Sequence, residues 1–174
     1  MPRVDDIYIE GGQIVFSNFS GNPDKNYNGD NKRTVTFSIP PEVKDNLIAD
    51  GWNIRPYIPK SDPDAEPIYL LEATIAYRTK DGVPKDPGIF IVRPDSLVHV
   101  TEDIIDTLDR ADIVKVDAIL GPHYWELGNR RGIRPYVNRM LVTIKPNPID
   151  EKYYKLTQQM SNNSPIDELS FPVE

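Results

Sequence analysis

The longest alternation of apolar and polar positions in the chain runs from Ile113 to Lys145, and it predicts a long β-hairpin. Ile113-Val114-Lys115-Val116-Asp117-Ala118-Ile119-Leu120 is β-branched and roughly alternating. Gly121-Pro122 interrupts it, His123 to Leu127 resumes it, and Gly128-Asn129-Arg130-Arg131-Gly132 reads as the turn before a return strand from Ile133 to Ile144. A turn centred on Arg130 sets Tyr124 opposite Tyr136 and Glu126 opposite Arg134 on one face. The other face then holds Trp125, Leu127, Ile133 and Val137 as core. A slip of one residue exchanges the two faces, so the assignment depends on the turn. Arg139 falls among the apolar positions while Met140, Val142 and Ile144 fall on the opposite alternation, which predicts a bulge near Asn138.

Shorter patterns surround the hairpin. Ile7 to Phe16 reads as a strand broken by Gly11-Gly12, as a strand bending round a small barrel requires. Ser17 to Asn31 is a polar Gly- and Asn-rich loop, mobile by composition, which reads either as an ordinary solvated connection or as a flap whose Phe19, Lys25, Tyr27 and Lys32 close over a bound strand. Arg33 to Ile39 alternates with Val35, Phe37 and Ile39 inward. Pro40-Pro41 then starts a helix over Pro41–Asp50 with the stripe Val43, Leu47, Ile48 and a stop at Gly51. Asn53 to Ile58 and Tyr69 to Tyr77 predict strands, and Ile89 to Val92 another. Thr101 is positioned to cap a second helix through Arg110. The expected fold is therefore mainly β, a small barrel or sandwich with two short α-helices, and the Gly11-Gly12 and Gly121-Pro122 interruptions favour a β-barrel of bent strands. Residues 1–154 form the expected domain, and 155–174 an acidic, disordered tail.

Composition narrows what such a domain can do. With 174 residues, 39% hydrophobic and 27% charged, the chain supports one core, and it has no run of membrane-spanning length and no signal-like start. No cysteine is present, so disulfides and thiolate metal sites are excluded, and a reducing, cytoplasmic setting is expected. The net charge of −7 argues against a surface built to hold duplex DNA or an anionic membrane. Yet between His123 and Lys145 the only acid is Glu126, against Arg130, Arg131, Arg134, Arg139 and Lys145. The hairpin is a positive island on an acidic protein.

Neither His99 nor His123 sits in a metal-ligand spacing, and no phosphate-binding glycine loop or nucleophile elbow occurs. Catalysis is not expected, and no cofactor or metal. Stacking rings and phosphate-tracking cations hold single-stranded nucleic acid without sequence choice, and the hairpin supplies both types in Tyr124, Tyr136, Arg130, Arg131, Arg134 and Arg139. Trp125 reads as core before platform. Tyr57 and Arg55, with Lys32 and Arg33, extend the candidate surface. The competing reading makes the tyrosines a partly buried pair and the arginines a solubilising loop.

Asp50-Gly51-Trp52-Asn53-Ile54, Pro122-His123-Tyr124-Trp125-Glu126, Gly132-Ile133-Arg134-Pro135-Tyr136-Val137 and Met140-Leu141-Val142-Thr143-Ile144 resemble segments of bacteriophage single-stranded DNA-binding proteins of the OB-fold type. So does the opening, Ile14-Val15-Phe16-Ser17-Asn18-Phe19-Ser20-Gly21. The resemblance runs in order over most of Val4 to Tyr154. It implies an OB-type barrel that coats exposed single-stranded DNA during phage replication and recombination, without enzymatic activity. It also implies an acidic tail that docks onto replication or recombination proteins. Asp167, Glu168 and Phe171 are similar in kind, although Pro172-Val173-Glu174 follows the phenylalanine. A homo-oligomer is compatible with these features. The alternatives are a virion assembly protein using the barrel for protein contacts and, last, a carboxylate-metal nuclease.

Overall fold

The structure, a computed structural model, describes residues 3–26 and 29–145. The chain divides after Ile144 into two units, and of the second only Lys145 is among the described residues.

Strands dominate because the alternating stretches each have one face that must leave water. They are β1 (Ile7–Gly12), β2 (Ile14–Asn18), β3 (Arg33–Ile39), β4 (Arg55–Tyr57), β5 (Ile68–Ile75), β6 (Ile89–Val92), β7 (Leu97–His99), β8 (Ile113–Leu127) and β9 (Arg130–Ile144). All nine join one mixed sheet along the path β1-β8-β9-β5-β3-β2, with β4 added to β5 and the β6–β7 pair added to β9. The inward rows, among them Val35, Phe37, Leu71, Ala73, Val116, Leu120, Val137 and Val142, form the core with Trp52, Ile105 and Leu108.

The expected closed barrel is corrected to an open path. The bend at Gly11-Gly12 divides the first strand into β1 and β2, which pair with β8 and β3 respectively and stand at opposite ends of the sheet order. Gly11 takes a left-handed φ of 60° and its N–H donates to Asp117 Oδ1 at 2.7 Å, while the β1–β8 register shifts between Ile9 and Gly12.

The helix α1 (Pro41–Asp50) has the predicted bounds. Gly51 ends it at φ 109°, with its N–H on the Ile48 carbonyl and that of Trp52 on Leu47, the bond pair of a Schellman stop. Of its stripe, Leu47 packs against the core, whereas Val43 and Ile48 are exposed. The second expected α-helix is a 3-10 helix over Ile105–Arg110, which buries Ile105 and Leu108, and a further 3-10 turn spans Pro23–Lys25. With Thr101 hydrogen-bonded to Asp103, the preceding residues form turns rather than a helical first turn.

The hairpin register also differs from expectation. Leu127 pairs with Arg130 across a two-residue Gly128-Asn129 loop, with Gly128 at φ 62°. Tyr124 therefore meets Ile133 instead of Tyr136, and Glu126 meets Arg131 instead of Arg134. The displacement is odd, so the faces exchange as the period of two demands. The second bulge falls where expected: the register shifts between Ile119 and Leu120, opposite Arg139 and Val137.

Candidate nucleic-acid interface

In the observed register, His123 pairs with Arg134 and Trp125 with Gly132 on the outward face, with Ile133 and Val137 buried beneath. Trp125 is thus not core. Its indole lies against the β9 backbone because residue 132 has no side chain; a Cβ there would stand 2.9 Å from Trp125 Cζ2. Glycine here makes a seat for a ring, which fixes the indole plane without enclosing it.

That ring walls a cleft of about 500 Å³. The hairpin contributes Trp125, Arg131 and Arg134, the end of α1 contributes Ile48 and Gly51 with Trp52, and the outward positions Glu72 and Thr74 of β5 form the floor. Lys32 and Arg55 stand across from the hairpin. A second hollow, of about 630 Å³, shares Lys32, Arg55 and Glu72 with it and continues to Phe16 and Lys25. Phe16 is 44% exposed and meets Tyr57 edge to face at 5.2 Å, so a second aromatic site stands at the far end of a groove in which Lys25, Lys32, Arg55, Arg131 and Arg134 outnumber the carboxylates Glu72 and Asp30.

The loop from β2 to β3 is held where it carries these cations. Asn18, buried, accepts from the Asn22 N–H and donates to the Asn22 carbonyl and to Asn26 Oδ1. Asn26 in turn donates to the carbonyls of Asp30 and Lys32. The Asp109 carboxylate accepts from the N–H groups of Phe19 and Ser20 at 2.8 and 3.0 Å. Phe19 is fully buried, so it anchors the loop and does not close over a ligand, as was expected of it. Tyr27 lies outside the described residues.

Charge in the groove is unbalanced. Lys32 is held below its ordinary pKa of 10.5, first by burial and then by the positive Arg134, with Glu72 and Asp30 opposing. Two cations facing each other in a partly dry groove favour an anion between them.

Of the remaining predicted positions, Tyr124 is on the other hairpin face, where its hydroxyl accepts from the Val4 N–H at 2.7 Å. Tyr136 packs on His123 at 4.9 Å between centroids, outside the first cleft. Arg130 closes the hairpin loop, and Arg139 lies beyond the bulge over the Phe90 ring at 5.7 Å. Arg33 is turned away from the groove: its Nε donates to the Phe19 carbonyl and its guanidinium pairs with Glu102 at 3.5 Å. Asp167, Glu168 and Phe171 lie outside the described residues. The sequence reading missed Glu72 and Thr74 as floor and Gly132 as seat. The strand alternation marks the first two as outward, and the signal for the third is a glycine inside a strand next to an aromatic-rich partner.

Among the described residues no three His, Asp or Glu side chains gather to hold a metal, and no helix is long and apolar enough to cross a membrane. A family model described as "Putative phage ssDNA-binding domain" matches residues 1–169. No curated protein and no solved structure matches the chain.

Proposed function

The chain belongs to the phage ssDNA-binding domain family, and from that membership we propose that it is a non-enzymatic protein that coats exposed single-stranded DNA during phage replication and recombination in the host cytoplasm. The observation that carries the site is Trp125 seated on Gly132 beside Arg131 and Arg134, facing Lys32 across the cleft. A base stacks on the indole while phosphates meet the flanking cations. Such contacts do not read base edges, so sequence preference is weak.

An OB-type reading of the fold is supported by the strand path. Taken as two halves of one bent strand separated only by Gln13, β1 and β2 put the same strand at both ends of the sheet order. The groove then crosses β3 and β5 between two loops, the β2–β3 loop with Lys25 and Lys32 and the β8–β9 hairpin with Trp125.

Fluorescence anisotropy with labelled oligo-dT, duplex DNA and RNA over a salt series tests this. Oligo-dT binds more tightly than duplex, and log K falls with log salt by about 0.7 for each phosphate contacted. Lys32→Gln/Arg131→Gln/Arg134→Gln lowers that slope by up to about 2. No binding at low salt sinks the proposal and leaves protein contact in virion assembly as the better use of the fold.

A further inference from the structure

Beyond the ridge made by Trp125, Arg131 and Arg134, the outward side continues into a larger cleft of about 1400 Å³, which these three side chains also line. Its floor follows directly from the first. After Glu72 and Thr74 come Ala76 and Arg78, and after Gly132 and Arg134 on β9 comes Tyr136, with Thr74 paired to Tyr136.

The far wall is a short arm, residues 77–85, folded on itself. The Lys85 N–H donates to the Tyr77 carbonyl at 2.8 Å, that of Thr79 to Val83 at 2.8 Å, and Arg78 bridges to Pro84. Its base is tied down, since the Tyr77 hydroxyl donates to the buried Val100 carbonyl at 2.7 Å and Arg78 pairs with Glu102 at 3.2 Å. The arm thus presents Lys80 and Lys85 to the cleft from a fixed support. Neither lysine forms an ion pair with a carboxylate among the described residues. Lys85 Nζ stands 5.6 Å from the centre of the Tyr136 ring, which packs on His123. The cleft has the same two ingredients as the first groove, rings and uncompensated cations, while the carboxylates lining it are those of Asp6 and Glu126.

We propose that the cleft between the 77–85 arm and the β8–β9 hairpin is a second single-strand segment site. One DNA strand leaves the first groove, crosses the Trp125 ridge and continues with its phosphates toward Lys80 and Lys85 and its bases beside Tyr136 and His123. A strand is favoured over an acidic protein segment because ring surface alternates with cations here and because the ridge residues belong to both clefts, so the two sites are continuous. The inference rests on the single-stranded DNA reading of the first groove.

The test is anisotropy of the full chain with oligo-dT from about 4 to about 16 nucleotides, the span that grooves of this kind occupy, comparing wild type with Lys80→Gln/Lys85→Gln. Short oligonucleotides bind both proteins within about twofold, whereas the longest lose about tenfold in the variant and their salt slope falls by about 0.7 per lysine. Lys60→Gln/Lys115→Gln, which removes the same charge from exposed positions elsewhere, keeps the wild-type length dependence. A loss equal at every length, a loss equal in both variants, or no loss overturns the second site while leaving the first groove standing. Wild-type protein that binds no oligonucleotide of any length overturns the first reading and this one with it.

Discussion

At the scale of single residues, the interface depends on a ring and its seat. Trp52 is only 3% exposed, so Trp125 is the tryptophan available to a base. Quenching of tryptophan emission on addition of oligo-dT is therefore expected in wild type and absent in Trp125→Phe. Trp125→Ala should cost about 1–3 kcal/mol of oligo-dT affinity, the usual worth of one stacked base. Gly132→Ala should weaken binding too, because its methyl group displaces the indole, while thermal unfolding changes little at this surface position; wild-type affinity in that variant would show that the seat does not matter. Lys32 has its own signature. Burial and Arg134 lower its pKa, so it loses its proton at alkaline pH below the ordinary lysine value of 10.5, and a phosphate between the two cations opposes that loss. Oligo-dT affinity measured against pH should begin to fall below the range where exposed lysines titrate. Lys32→Arg, whose guanidinium stays charged, should retain affinity through that range.

At the scale of elements, the two walls of the groove are set by different means. The hairpin is long and holds its tip by the ladder from Ile113 to Leu127. The opposite wall is a loop, and Asp109 of the 3-10 helix pins it through the N–H groups of Phe19 and Ser20. Asp109→Ala leaves those donors without their charged acceptor and should cost about 1–3 kcal/mol of stability in urea unfolding. The same variant should weaken oligo-dT binding, since Lys25 and Lys32 are carried on that loop; full affinity with reduced stability would separate the anchor from the interface. The asparagine network through Asn18 and Asn26 explains why a stretch that reads as mobile by composition is held: its side chains replace the backbone ladder a strand would have.

At the scale of the whole molecule, an acidic protein of net charge −7 sets Lys25, Lys32, Arg55, Arg131 and Arg134 along one groove, so binding should be local and strongly dependent on salt. Acid stability follows from a carboxylate elsewhere. Asp86 has a lowered pKa, chiefly because it accepts from the Gly88 N–H and then because His99 Nε2 lies 2.9 Å away. Its folded pKa lies below the unfolded value of 3.8, so its contribution is complete above that value and is lost as pH falls through the folded one. The stability gap between wild type and Asp86→Asn should accordingly shrink on acidification, and a gap constant with pH would count against the interaction. Local pattern alone determined that Arg33 to Ile39 and, as far as Ile75, Tyr69 to Tyr77 are strands, that Pro41 to Asp50 is a helix stopped by Gly51, and that rings and arginines gather in one hairpin, because periods of 2 and 3.6 and a glycine stop act between near neighbours. Tertiary structure decided the rest. A two-residue loop moved the hairpin register by an odd number and turned Trp125 outward; the bend at Gly11-Gly12 sent β1 and β2 to opposite ends of the sheet; and pairing across distant strands brought Lys32 to face Arg134. Those outcomes depend on which strands meet and in what register, a choice made by contacts far apart in sequence.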